Sequence, residues 1–159
     1  MIFVTVGSRS FQFNRLLEAI DIAVKNGEIK DEIFAQIGSS DYKPKNFNFK
    51  TYLNHDDFNE FIEKCDIVIT HGGTGIIMNA IKKGKKVVAV PRLTKYKEVI
   101  DDHQLQLVRE FEKMGIIIAC YDCCKIGEAV QEVRKKSMVK YISNTKSIIN
   151  SIEKFLSEI

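Results

Sequence analysis

Residues 66–92 constrain the fold more than any other stretch of this chain. An apolar run, Ile67-Val68-Ile69, enters a glycine loop at Gly72, Gly73 and Gly75. A segment of helical period follows and stops at Gly84, and a second apolar run ends at Pro91. Strands that are apolar on both faces belong to parallel sheets covered by helices. A strand–helix–strand unit of this length is the crossover that parallel pairing requires. The loop also carries chemistry. Glycines let a ligand approach the backbone, and the first amides of a helix, with its dipole, attract anions.

The rest of the chain repeats the alternation. Ile2 to Val6 is a β-rich run closed by Gly7-Ser8. Leu16, Leu17, Ile20 and Val24 have helical spacing, and Gly27 ends that helix. Glu32 to Ile37 and Phe47 to Leu53 read as strands two and three. Asp56 to Cys65 reads as a helix with Asp at its start. Beyond Pro91, the pattern predicts a helix over Val99 to Lys113, a strand over Ile116 to Cys120, and helices near Ile126 to Lys136 and Ser143 to Leu156. The expected fold is therefore α/β: a Rossmann-like parallel sheet of about six strands with helices on both faces. The length of 159 residues suits one domain over 1–159. In such folds ligands bind beyond the carboxyl ends of the strands. The loops beginning at Gly7, Gly38, His71 and Pro91 should converge there.

Composition excludes several classes. The net charge of +3 is too small for a nucleic-acid footprint. No apolar run approaches the roughly 20 residues that span a bilayer, and the short N-terminal run lacks a basic start, so the chain reads as cytoplasmic. Of the four cysteines, Cys120, Cys123 and Cys124 cluster, but no second pair or nearby histidine completes a zinc site. They read as reduced thiols.

Two familiar phosphate motifs are absent. A P-loop needs Gly six residues before Lys-Ser or Lys-Thr, whereas Gly84-Lys85 is followed by Lys86 and preceded at that offset by Asn79. The dinucleotide fingerprint belongs after the first strand, where only Gly7-Ser8 stands, which disfavours a NAD-dependent oxidoreductase.

Five short motifs occur in order: Val4-Thr5-Val6-Gly7-Ser8, Gln36-Ile37-Gly38, His71-Gly72-Gly73-Thr74-Gly75, Val90-Pro91-Arg92 and Asp101-Asp102-His103-Gln104. Together they resemble the C-terminal, donor-binding half of family 28 glycosyltransferases of GT-B architecture. More closely, the chain looks like the short single-domain members, which include eukaryotic UDP-GlcNAc transferase catalytic subunits and bacterial capsular or exopolysaccharide subunits. The resemblance implies a UDP-sugar whose diphosphate sits over Gly72, Gly73, Thr74 and Gly75, with Gly7 and Ser8 approaching from the first loop. It implies that Asp102 and Gln104 touch sugar hydroxyls, with His71, His103 and Arg92 shaping the pocket. Asn79 stands where relatives carry Glu for the ribose diol, so the contact would be an amide without charge. The implied activity is inverting transfer to a polyprenyl-diphosphate-linked saccharide in cell-surface polysaccharide synthesis. The implied partner is a separate membrane-anchored acceptor subunit, which would recruit the chain to the inner membrane face.

No cofactor is expected. Asp56-Asp57 and Asp101-Asp102 read as helix starts rather than a metal-binding Asp-x-Asp, so metal-independent catalysis is expected. The acceptor's base is expected on the partner, with His103 as the candidate on this chain. A non-catalytic nucleotide-binding regulatory module is the alternative, and an apolar face left open by the missing half would permit a homodimer. Plainer readings stand beside these. His71 is equally a core histidine. Glu98 reads as a helix cap; Arg9 reads as surface, with a contact to the diphosphate as its alternative; Lys82, Lys83, Lys85 and Lys86 read as a solvated face, with anionic lipid as theirs. The stripe Ile148, Ile152, Phe155 and Ile159 reads as packing on the chain's own sheet.

Overall fold

The computed structural model describes residues 1–157. Six strands, β1 (Ile2–Thr5), β2 (Ile33–Gln36), β3 (Asn48–Lys50), β4 (Ile67–His71), β5 (Lys86–Val90) and β6 (Ile118–Ala119), form one sheet in the order β3-β2-β1-β4-β5-β6. Every ladder is parallel. This is the doubly wound Rossmann order, with its switch point between β1 and β4.

The alternation along each strand sorts the core into two layers. Ile2, Val4, Ile67, Ile69, Val88 and Val90 face one way and meet Leu16, Leu17 and Ile20 of α1 (Asn14–Lys25) and Val130 and Val133 of α5 (Ile126–Lys135). Phe3, Val68, Val87 and Ala89 face the other way. They meet Ile62 of α2 (His55–Lys64), Ile77 and Ala80 of α3 (Thr74–Lys82) and Val108 of α4 (His103–Lys113). Phe61 stacks at 4.0 Å on Phe34 and at 5.5 Å on Phe3, which seats α2 on its face of the sheet.

Several boundaries differ from the sequence reading. The third strand shrinks to Asn48–Lys50, because an edge strand has one neighbour to pair with. Helix α2 is capped by Asn54, whose side chain accepts from the Asp57 amide at 2.8 Å, and not by an aspartate. Helix α4 starts at His103 rather than Val99. Residues 94–96 instead form a single 3-10 turn, and Lys97 ends it in the left-handed region at φ 57°. The lysines after α3 are not merely solvated. Lys83 pairs with Glu63 at 2.9 Å, while Lys85 and Lys86 donate to the Glu63 and Arg134 carbonyls.

The C-terminal stripe departs most. Helix α6 (Thr145–Ser157) buries no residue, and Ile148, Ile152 and Phe155 are 51%, 54% and 64% exposed. It does not pack on its own sheet; both sheet faces are already filled by α1 to α5. Ile159 lies outside the described residues. No helix among the described residues is long and apolar enough to cross a membrane.

Candidate functional site

The loops leaving the carboxyl ends of β1, β3, β4 and β5 enclose a cleft of about 930 Å³, within the usual range for ligand sites. Its floor is the β4–α3 junction. Gly73 caps α3 without a side chain, and its own amide donates to the His71 carbonyl at 2.8 Å. The first amide to find a helical acceptor is Ile77, bonded to Gly73. The amides of Thr74, Gly75 and Ile76 therefore donate to nothing among the described residues and open on the cleft.

The three glycines differ in their surroundings. A Cβ on Gly73 would lie 2.3 Å from His71 Nε2, and one on Gly7 (φ +84°) would lie 2.7 Å from His71 Cε1. The imidazole is thus wedged between two side-chain-free residues. A Cβ on Gly72 would strike α4, 2.8 Å from Gln104 Cβ, whereas Gly75 has nothing within 4 Å.

His71 is half-buried and part of the cleft wall, so it lies between its two readings. The Thr70 hydroxyl donates to the Thr5 carbonyl at 3.0 Å, so its oxygen accepts from His71 Nδ1 at 3.3 Å and leaves Nε2 bare. Burial, reinforced by the nearby Arg92 cation, pushes the imidazole down to about 4. It is neutral at physiological pH.

Arg92 is 2% exposed. Its guanidinium lies 5.3 Å from the Phe13 ring centroid and donates to the Val6 carbonyl, but its Nε has no partner among the described residues. Burial pulls it down to about 10, with Glu98 opposing, so it remains a cation. A buried, charged and incompletely satisfied guanidinium thus lines the same cleft as the free helix amides, an arrangement chemically suited to an anion.

Gln104 acts as a bracket. Its Oε1 accepts from the Gly72 amide at 3.1 Å and the Arg92 amide at 3.2 Å, tying α4 to the loops after β4 and β5. Its side-chain amide nitrogen makes no hydrogen bond among the described residues. His103 is exposed at the cleft mouth, where its amide donates to Asp101 at 2.9 Å.

The structure therefore gathers Gly7, Ser8, His71, Gly72, Gly73, Thr74 and Gly75 around one cleft, together with Arg92, His103 and Gln104. It does not bring Asn79 or Asp102 to that wall. Asn79 lies in the second turn of α3, past the free amides. The Asp102 carboxylate is taken by the Thr94 amide and hydroxyl, at 2.9 and 3.2 Å. The Gly38 loop does not line the cleft either. Gly38 packs beneath it, where a Cβ would sit 2.9 Å from the Gly7 carbonyl. The cleft is extended instead by Leu53, Asn54, His55 and Phe58.

Two further corrections concern charge. Glu98 caps no helix. It is fully buried, takes a two-pronged ion pair from Arg15 at 3.0 Å on each oxygen, and accepts the Leu93 amide at 3.0 Å. Arg15 also donates to the Pro91 carbonyl and to Cys123 Sγ, so the 91–98 segment is anchored to α1. Nothing local in the sequence marks this pair, whose members are 83 positions apart. Arg9 is exposed, but it stands on the cleft wall rather than on featureless surface. Its position directly after the first glycine loop was the available signal.

Comparison with known proteins places this geometry. The profile of the glycosyltransferase family 28 C-terminal domain matches residues 1–159. The human UDP-N-acetylglucosamine transferase subunit ALG13 is 29% identical over 128 residues, covering 75% of this chain and 11% of the human protein. The Candida glabrata subunit of the same name is 24% identical over 131 residues, covering 81% of this chain and 63% of its own length. The chain thus spans less than two thirds of these relatives. Among solved structures, the glycotransferase of kitacinnamycin superposes with a TM-score of 0.65 at 19% identity, covering 85% of this chain and 35% of that one. MurG of Acinetobacter baumannii gives 0.55 at 20% identity, covering 82% and 39%. These likenesses establish a shared fold with glycosyltransferases. With residues 1–159 matched to one family profile, the chain belongs to the glycosyltransferase family 28 C-terminal domain family.

Proposed function

We propose that this chain is the donor-binding, catalytic subunit of an inverting UDP-sugar glycosyltransferase. The observation that carries this reading is the coincidence of three unpaired amides, on Thr74, Gly75 and Ile76, with the buried cation Arg92, whose Nε lacks a partner, in one cleft. The name of the relatives, a UDP-N-acetylglucosamine transferase subunit, supports the donor class and the need for a second subunit.

On this reading the diphosphate lies over the start of α3. The lobe lined by Leu53, Asn54, His55 and Phe58, which mixes an apolar floor with amide and imidazole edges, takes the planar base. The sugar projects toward His103 and the free amide of Gln104. As the glycosidic bond breaks, charge grows on the departing diphosphate while the sugar gains oxocarbenium character. Dipoles and cations already held in place stabilise that charge without reorganising. A helix terminus contributes about 0.3–1 kcal/mol to a nearby anion, and up to about 2 when partly buried. Metal-independent catalysis follows from this assignment, so a chelator should leave the rate unchanged.

The acceptor is a polyprenyl-diphosphate-linked saccharide at the inner membrane face, reached through a membrane-anchored partner that also supplies the base. His103, exposed at the mouth, is the base candidate on this chain. Calorimetry of the purified chain with UDP, uridine and NAD tests the donor site: UDP should bind, and NAD should not. Failure to bind UDP would overturn the reading. Sugar transfer should appear when the acceptor subunit is added and not before.

A further inference from the structure

The cleft holds more positive charge than its wall neutralises. Arg92 is buried and short of a partner, and the helix terminus adds partial positive charge. The same cleft wall carries Arg9, on the loop after β1, which makes no hydrogen bond or ion pair among the described residues. Its charge reaches both neighbours, since it contributes to lowering the proton affinity of His71 and of Arg92. Among the described residues the cleft wall holds one carboxylate, Asp101, against two arginines, while Glu98, which also acts on Arg92, is paired with Arg15. Like charges with too little counter-charge cost energy in the free protein, and a bound anion returns that cost.

The two arginines cannot do the same work. Arg92 is locked in the wall by the Val6 carbonyl and the Phe13 ring, with only Nε left over. Arg9 is exposed on a loop between Gly7, which turns at φ +84°, and the start of α1 at Asn14. Its planar fork is free to swing and to bind two oxygens at once. A single phosphoryl group satisfies the α3 amides. For a second one, Arg9 is the exposed cation that the same cleft wall offers.

From this juxtaposition we infer that Arg9 is a phosphate clamp, closing from the β1–α1 loop onto the second phosphoryl group of a nucleoside diphosphate. This inference rests on the proposed donor site and specifies how that site tells a diphosphate from a monophosphate. Neither the glycine loop nor α3 makes that distinction.

Isothermal calorimetry of the full chain tests it with UDP, UMP and uridine. Arg9→Gln should weaken UDP binding about tenfold, the lower end for a charge-assisted pair at an exposed position. Uridine binding should not change, and the preference for UDP over UMP should shrink. Arg9→Lys should recover part of the loss, because the charge returns without the fork. Lys95→Gln, an exposed cation outside the cleft wall, controls for general charge and should leave UDP affinity unchanged. Arg9 is exposed and unpartnered, so thermal melts of the variants should overlay the parent. If the parent binds UDP and Arg9→Gln binds it equally well, the clamp is refuted while the donor site stands. An equal loss in Lys95→Gln refutes it too. If the parent binds no UDP, the donor site falls first.

Discussion

Replacing Gly72 with alanine would place a methyl group 2.8 Å from Gln104 Cβ, 2.9 Å from Val108 Cγ2 and 3.0 Å from the Gln104 carbonyl. Two of these three atoms are on or next to the α4 backbone, so rotating a side chain does not relieve the contact. Helix α4 has to move. Overpacking of this kind costs about 1–3 kcal/mol. The shift also stretches the bond from the Gly72 amide to Gln104 Oε1, worth about 1 kcal/mol. Together these give a loss of about 2–4 kcal/mol, a drop in melting midpoint of about 4–16 °C for a chain of this size. Gly75→Ala, three residues on, is the contrast. Nothing lies within 4 Å of its Cβ, and alanine is the better helix former by up to about 1 kcal/mol. That variant should be as stable as the parent or more so, yet weaker in UDP binding, because its methyl stands where the anion would rest. Urea unfolding followed by circular dichroism measures both. If Gly72→Ala unfolds with the parent, or Gly75→Ala loses as much as Gly72→Ala, then α4 does not press on the loop as described.

The remaining predictions follow from charge and exposure. His71 has a folded value of about 4 against 6.5 for the free side chain. The unfolded chain therefore takes up a proton first, and stability should fall as pH drops from about 6.5 to about 4, by at most about 3 kcal/mol. His71→Asn should flatten the urea midpoint across that window. Asp21, held below its usual range by the Lys45 and Asn46 amides and the Tyr42 hydroxyl despite its burial, loses its contribution at the acid end of that window and below it, in the parent and in His71→Asn alike, so the difference between the two isolates His71. Glu98→Gln leaves the Arg15 guanidinium without its counter-charge. Arg15 is 20% exposed and partly rehydrates, so the loss should be about 2–3 kcal/mol, below the range for a wholly buried pair. Hydrogen exchange at the Leu93 amide should accelerate with it, and an unchanged rate would show that the pair does not hold the 91–98 segment. Ending the chain before Thr145 should leave the melting midpoint unmoved, because the described residues of α6 bury nothing. A fall of several degrees would mean that α6 packs on the domain.

Much of the fold was legible before any coordinate. Ile2, Val4 and Val6 alternate with Phe3 in a run apolar on both sides, which admits a parallel sheet covered on both faces. The glycine pattern after β4 announced a helix terminus open to an anion, because glycine spacing and helix start are local properties. Segment ends were less legible. The four residues from Val99 to Asp102 look helical by period, but the Thr94–Asp102 bonds and the left-handed turn at Lys97 hold them apart from α4.

What the amino-acid order alone determined is the parallel α/β framework and the place of its glycine loop, since hydrophobic period and backbone freedom are written into neighbouring residues. Only the tertiary structure decided the division of labour around the cleft. Arg15 clamps Glu98, Gln104 spends its side-chain carbonyl on two backbone amides, Arg92 is buried with its Nε short of a partner, and Arg9 lines the same cleft. Each of these depends on groups far apart in the chain, and no local pattern states which distant partner will satisfy a buried charge.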